Sequence, residues 1–222
     1  MTIRLCVSIL PKTLAEAQGL IEKAEKSQVD FIEVRLDCLE KNSDLSDLVS
    51  HRKTPLIATD RSRKNEIDRQ AILLNAAKSG FHYVDADLSS PKLQSFITRV
   101  QALQAKCIVS FHDFGKTSPI PELNRILERE VSSGADVCKI VTTANKIEDN
   151  LTLLQFIQAA PVRKKPVCFA MGELGKTSRL LSPVFGSFFT FASLERGNET
   201  APGQMSLQEM RTAYELLGLK WK

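Results

Sequence analysis

In GADVCKIVTTA, residues 134–144, a lysine stands in the middle of an apolar run. Val137, Cys138, Ile140 and Val141 are the side chains that fill a strand covered on both faces, and Lys139 interrupts them. An ammonium group leaves water only at a large cost unless it is paired, neutralised, or set where a polar cavity meets the strand end. The preceding apolar run, CIVSFHDF from Cys107, places His112 on the face of Ser110 and Ile108 by the twofold period of a strand. Neighbouring parallel strands lie about 4.8 Å apart, so the amine and the imidazole can share one cavity. Together they suggest carbonyl chemistry. Desolvation and nearby cations would free the lone pair of Lys139 for attack, and His112 would move protons near neutral pH.

Further polar residues recur at strand spacing. FIEVRLD, from Phe31, turns Ile32, Val34 and Leu36 to one face and Glu33, Arg35 and Asp37 to the other, where they need to pair with one another or with a ligand. In YVDADL, Asp85 and Asp87 share a face, and either could hold a lysine or an arginine. Arg61 follows IATD; MGELGKTSRL delivers Arg179; and ETAPGQMS delivers Thr200 and Gln204 on a Pro–Gly loop suited to a lid. His51 and His82 read as structural histidines.

Eight strand-like runs carry these residues: LCVSIL, FIEVRLD, PLIATD, YVDADL, CIVSFHDF, VCKIVTT, PVCFAM and FFTFAS. Segments of helical period lie between them, and the chain closes on SLQEMRTAYELLG, where Ser206 and Glu209 form a capping-box pattern. Gly134 and Gly218 sit where helices stop. This alternation predicts an α/β protein, a (β/α)8 TIM barrel formed as a single domain over residues 1–222, with its site at the C-terminal ends of the strands. An open dinucleotide-binding sheet would carry a Gly-rich turn after its first strand, and VSILPKTLAEA has none.

Composition narrows the function further. The chain has 222 residues, 43% hydrophobic and 25% charged, and its net charge of +4 is spread without a basic block, which argues against nucleic acid and fits a small anionic ligand. Cys6, Cys38, Cys107, Cys138 and Cys168 lie mostly in apolar runs without C-x-x-C spacing, the pattern of buried reduced thiols in a cytoplasmic protein. No signal-peptide core or membrane-spanning stretch is present, so no membrane association is expected. The scattered histidines and cysteines offer no metal-ligand spacing, and no G-x-S-x-G turn supports a serine hydrolase.

The ordered set VSI, EVRLD, ATDRS, SFHDF, ADVCKI, MGELGKTSR and APGQ resembles type I 3-dehydroquinate dehydratase, the Schiff-base lyase of the shikimate pathway. The resemblance implies a homodimer without a cofactor or metal that converts 3-dehydroquinate to 3-dehydroshikimate. It implies Lys139 as the Schiff-base lysine and His112 as the general acid/base, with Ser8, Glu33, Arg35, Arg61, Arg179, Thr200 and Gln204 binding the substrate. The family's glutamate that orients the histidine falls by counting on Asn65, leaving Glu66 beside it as the candidate acidic partner of His112. Thr200 stands where the family commonly has serine, which keeps the hydroxyl. A class I aldolase or transaldolase-like barrel would share the imine logic but would need a phosphate cradle, which APGQ does not resemble; a non-catalytic barrel binding an acidic metabolite would keep the arginines alone.

Overall fold

The computed structural model describes residues 3–40, 44–50, 52–62, 65–161 and 166–220; His51 lies outside them. Eight strands form one parallel sheet: β1 (Leu5–Ile9), β2 (Phe31–Arg35), β3 (Leu56–Thr59), β4 (Tyr83–Asp87), β5 (Lys106–His112), β6 (Val137–Thr143), β7 (Val167–Met171) and β8 (Thr190–Ser193). Their order is β7-β6-β5-β4-β3-β2-β1-β8, so the sheet curls until its two end strands meet. Among the described residues no ladder joins that seam. Instead the Phe188 amide donates to the Pro166 carbonyl at 3.2 Å, and the Cys168 amide to the Ser187 hydroxyl at 3.2 Å. The result is a nearly closed (β/α)8 barrel, as the alternation of elements predicts.

Helices cover the outside: α1 (Leu14–Lys26), α2 (Ser46–Val49), α3 (Glu66–Lys78), α4 (Leu93–Ala102), α5 (Ile120–Ser132), α6 (Glu148–Ala159), α7 (Lys176–Leu181) and α8 (Leu207–Leu216). Thr13 caps α1 by accepting from the Glu16 amide, and Ser206 and Glu209 close a reciprocal capping box on α8. Gly134 ends the turn after α5 at φ +95°, a conformation that side chains with a Cβ resist. Outward strand residues such as Val7, Val34, Val84, Val109 and Ile140 pack with Ile21, Phe96, Leu123 and Leu153 of the helices in one large core.

A second, smaller core fills the barrel itself. Phe31, Ile57, Tyr83, Ile108, Val137, Val167 and Phe189 point inward near the N-terminal ends of the strands. The Phe31 ring lies 4.7 Å from Phe189 and meets Tyr83 edge-on at 5.7 Å, the tilted contacts that aromatic quadrupoles favour. The inward residues one step further along are polar and buried: Ser8, Glu33, Thr59, Asp85, Ser110 and Lys139. The barrel is therefore apolar at its floor and polar toward the C-terminal ends of its strands.

Three local expectations are corrected. FIEVRLD is a strand only to Arg35; Leu36–Cys38 form a 3-10 turn, so Asp37 folds back beside Arg35 instead of continuing the inward row. MGELGKTSRL, which past Met171 falls in none of the predicted strands, contains α7, held from a distance by Asn150, whose side chain accepts from the Ser178 amide at 2.9 Å and donates to the Leu174 carbonyl at 2.7 Å. None of the five cysteines is in a disulfide; Cys38 is exposed and the other four are buried.

Candidate functional site

The polar end of the barrel opens into a cavity of about 260 Å³. Register explains which side chains meet there. Ser110 on β5 pairs with Lys139 on β6, Thr59 on β3 with Asp85 on β4, and Ser8 on β1 with Glu33 on β2, so residues far apart in sequence stand at similar heights around one ring. Ser8, Glu33, Arg35, Arg61, His112, Lys139, Arg179, Thr200 and Gln204 all line the cavity.

Lys139 is only 5% exposed and does not stand among cations alone. Its Nζ donates to Asp85 Oδ2 at 2.8 Å, lies 3.7 Å from Glu33 Oε1, and sits 4.3 Å from the centre of the Phe191 ring. Glu33 is occupied by hydroxyls: Ser8 donates to its Oε2 and Thr59 to its Oε1 at 2.9 Å. Asp85 is the hub. Besides Lys139 it accepts from Arg61 at 2.7 Å and from the Ser110 hydroxyl at 2.6 Å, and Arg61 also donates to Ser110 at 2.9 Å. Burial works against the Asp85 charge, but Arg61, followed by Lys139, outweighs it and holds the carboxyl well below the usual range.

His112, at the end of β5, is partly exposed, and its ring stacks on Phe114 with 6.0 Å between centres. Burial, followed by the charges of Arg61, Lys139 and Arg35, holds its pKa well below the ordinary histidine value, with Asp85 opposing them. The imidazole is therefore neutral at neutral pH, the form that accepts a proton. Among the described residues Glu66 makes no hydrogen bond to it. That carboxylate accepts from the Ser90 hydroxyl at 2.7 Å and pairs with Arg69, while Asn65 is spent capping α3 by accepting from the Asp68 amide. The charge of Asp85 acts on the imidazole, favouring its protonated form.

The guanidinium groups differ in how they are held. Arg35 donates through Nε and Nη2 to both oxygens of Asp37, at 2.9 and 2.7 Å. Burial opposes both charges of this pair, yet their mutual bond raises the pKa of Arg35 and lowers that of Asp37. Arg179, on α7, is 1% exposed, with its guanidinium carbon 4.2 Å from the centre of the Phe169 ring. Its Nε and Nη2 have no hydrogen-bond partner among the described residues, and burial pushes its pKa down to about 9, which still leaves it charged at neutral pH. An unpaired buried cation facing a cavity is a receptor for an anion.

The loop between β8 and α8 covers one side of the opening. Gln204 Oε1 accepts from the Thr200 amide at 2.6 Å and from its hydroxyl at 3.1 Å. The loop docks by backbone contact: the Gly172 amide donates to the Pro202 carbonyl at 3.0 Å, and a Cβ on Gly203 would fall 2.0 Å from the Gly172 oxygen. His82 is structural, as its isolation suggests, with Nδ1 accepting from the Leu56 amide at 3.2 Å.

Asp85, Ser110 and Thr59 were not singled out as site residues by motif. Alternation puts Asp85 and Asp87 on one face, but only the register of β4 separates them: Asp87 turns to the Ser89 hydroxyl and amide while Asp85 faces Lys139.

A parallel-stranded barrel with a buried amine, a neutral imidazole and an unpaired guanidinium in one cavity defines a class of barrels equipped to bind an anionic substrate and work on its carbonyl group. The family description "type I 3-dehydroquinase" matches residues 5–220, and the chain belongs to that family. A 3-dehydroquinate dehydratase of Dehalococcoides mccartyi is 38% identical over 201 residues, covering 87% of this chain and 89% of that protein. One from Coxiella burnetii is 34% identical over 223 residues, covering 96% and 93%. Among solved structures, the 3-dehydroquinate dehydratase of Aquifex aeolicus superposes with a TM-score of 0.79 at 27% identity, covering 96% of this chain and 98% of that one. The type I enzyme of Clostridium difficile, solved with covalently modified comenic acid, shares the fold with a TM-score of 0.87 at 24% identity, covering 97% and 92%.

Proposed function

We infer that this chain dehydrates 3-dehydroquinate to 3-dehydroshikimate in the shikimate pathway, through an imine on Lys139. Family membership supports the reaction. The observation that carries the residue assignment is the placement of the Lys139 amine and the His112 imidazole on adjacent strands, in the cavity that Arg179 also lines.

The chemistry follows from these groups. The Lys139 amine adds to the substrate ketone, and His112 moves the protons that convert the carbinolamine to a protonated imine with loss of one water. The imine withdraws electrons from the adjacent carbon, so His112 removes a proton there and an enamine forms. The enamine electrons expel the β-hydroxyl, which leaves as water with the proton from His112. A water then adds to the imine and releases the product ketone and the free amine, so the cycle loses one water overall. Arg179 takes the substrate carboxylate, where its two free N–H groups match the anion. Ser8, Glu33, Arg35, Arg61, Thr200 and Gln204 hold the hydroxyl-bearing ring.

Incubation with 3-dehydroquinate is expected to produce the absorbance of a conjugated enone, and borohydride to trap a mass adduct on Lys139. Turnover by Lys139→Ala at the rate of the parent protein would overturn the assignment. The protein is further read as a cytoplasmic homodimer: five cysteines without a disulfide fit a reducing compartment, and the dimer follows the family resemblance. Sedimentation at micromolar concentration tests the second point, and a monomer would refute it.

A further inference from the structure

A protonated imine formed on Lys139 would put a cationic nitrogen where Nζ stands now, on a residue only 5% exposed, and a buried cation needs a counter-charge. The geometry points to Asp85, held by Arg61 and Ser110, as the counter-ion that keeps the imine protonated through the reaction, a catalytic residue that the family resemblance does not name. The inference rests on the Schiff-base reading of Lys139.

Two carboxylates compete for the role, and their surroundings separate them. Asp85 Oδ2 touches Nζ at 2.8 Å, whereas Glu33 Oε1 stands at 3.7 Å, and both Glu33 oxygens accept hydroxyl hydrogen bonds from Ser8 and Thr59. Asp85 divides its bonds differently. Oδ1 takes Arg61 and Ser110, which fix the carboxylate plane, and the hydrogen bonds of Oδ2 found in the structure run to Lys139 alone. A carboxylate so bracketed resists protonation, so it still bears its charge when the neighbouring nitrogen exchanges protons. It does not take the proton from the imine; it stabilises the charged form.

The other groups around the pair do not supply this charge. His112 is neutral, and Arg35 and Arg61 are positive and would disfavour a cationic imine. The Cys6 and Cys107 thiols and the Glu130 carboxyl, which approach from β1, β5 and α5, are all driven by burial toward their protonated, uncharged forms. Arg61 therefore acts on Asp85 as well as lining the cavity, its Nη2 donating to Asp85 and Ser110.

The test compares pH–rate profiles and borohydride trapping for Asp85→Asn, Asp85→Glu and Glu33→Gln, each first confirmed as folded by circular dichroism. Removing a counter-ion lowers the pKa of the imine, so the alkaline limb of kcat for Asp85→Asn is expected to move to lower pH by about 1 to 3 units. Trapping with borohydride at low pH should persist, which separates loss of the counter-ion from loss of the Schiff base itself. Asp85→Glu keeps the charge and should leave the limb in place while lowering kcat. A limb unmoved in folded Asp85→Asn, or moved in Glu33→Gln instead, would overturn the assignment. If Asp85→Asn does not fold, a displaced limb in Asp85→Glu would overturn it and an unmoved one would support it. Absence of any trapped adduct in the parent protein would sink the Schiff-base reading underneath.

Discussion

Replacing Gly203 by alanine should detach the β8–α8 loop from the barrel mouth without disturbing the core. The added Cβ would lie 2.0 Å from the Gly172 carbonyl oxygen and 2.6 Å from its carbon, both backbone atoms that no rotamer change can move. Gly203 also sits at φ +71°, a left-handed conformation that alanine resists. The loop must lift, breaking the bond from the Gly172 amide to the Pro202 carbonyl and withdrawing Thr200 and Gln204 from the cavity they line. Two hydrogen bonds to substrate hydroxyls at about 0.5 to 1.5 kcal/mol each amount to about 1 to 3 kcal/mol, or roughly 5- to 150-fold in binding. Because these contacts hold the ring rather than the reacting carbon, the loss should appear mainly in KM, with kcat less affected. Steady-state enone formation measures both constants, and thermal melting checks the fold. An unchanged KM in a variant that melts normally would refute the view that the docked loop binds substrate.

Two other substitutions probe buried charge. Arg179→Met should raise KM steeply and leave an unchanged or higher melting temperature, because it removes a buried cation that has two unpartnered N–H groups in the free protein; a fall in melting temperature would contradict this. Glu130, fully buried in α5 against Cys138 and the Lys139 backbone, has its carboxyl pKa raised well above 4.5 by burial, with Asp85 adding to the effect. A raised folded-state pKa means that the folded protein holds a proton the unfolded chain releases, so stability falls as pH rises from the ordinary glutamate range toward the folded pKa. Glu130→Gln should remove that slope and stabilise the protein at pH values above it, as urea unfolding across pH would report; an identical slope in the variant would refute the assignment.

Much of this architecture is legible from alternation alone. A strand in a covered barrel must turn apolar residues outward and has room for polar ones only toward the open end, so Glu33, Arg35, His112 and Lys139 announce their direction by spacing. What alternation cannot show is where a strand stops. Asp37 continues the period in sequence, yet the chain turns after Arg35 and the two side chains pair with each other. Nor can it show support from afar: α7 depends on Asn150, which lies 28 positions before Ser178. Counting along the chain falls on Asn65 and leaves Glu66 beside it for His112, but the start of a helix follows its own needs, with Asn65 taken as the cap and Glu66 turned to Ser90 and Arg69. Alternation offers Asp85 and Asp87 alike, and only the folded structure picks Asp85 as the partner of Lys139 and Arg61.

The aromatic floor of the barrel has a consequence for traffic. With Phe31, Tyr83 and Phe189 closing the far end, the cavity is a cul-de-sac whose entrance is also its exit. Water expelled in the elimination therefore leaves by the mouth through which substrate enters, and the water that hydrolyses the imine comes in the same way. The same stopper that stabilises the fold thus sends the by-product of one step and the reagent of the next along one path.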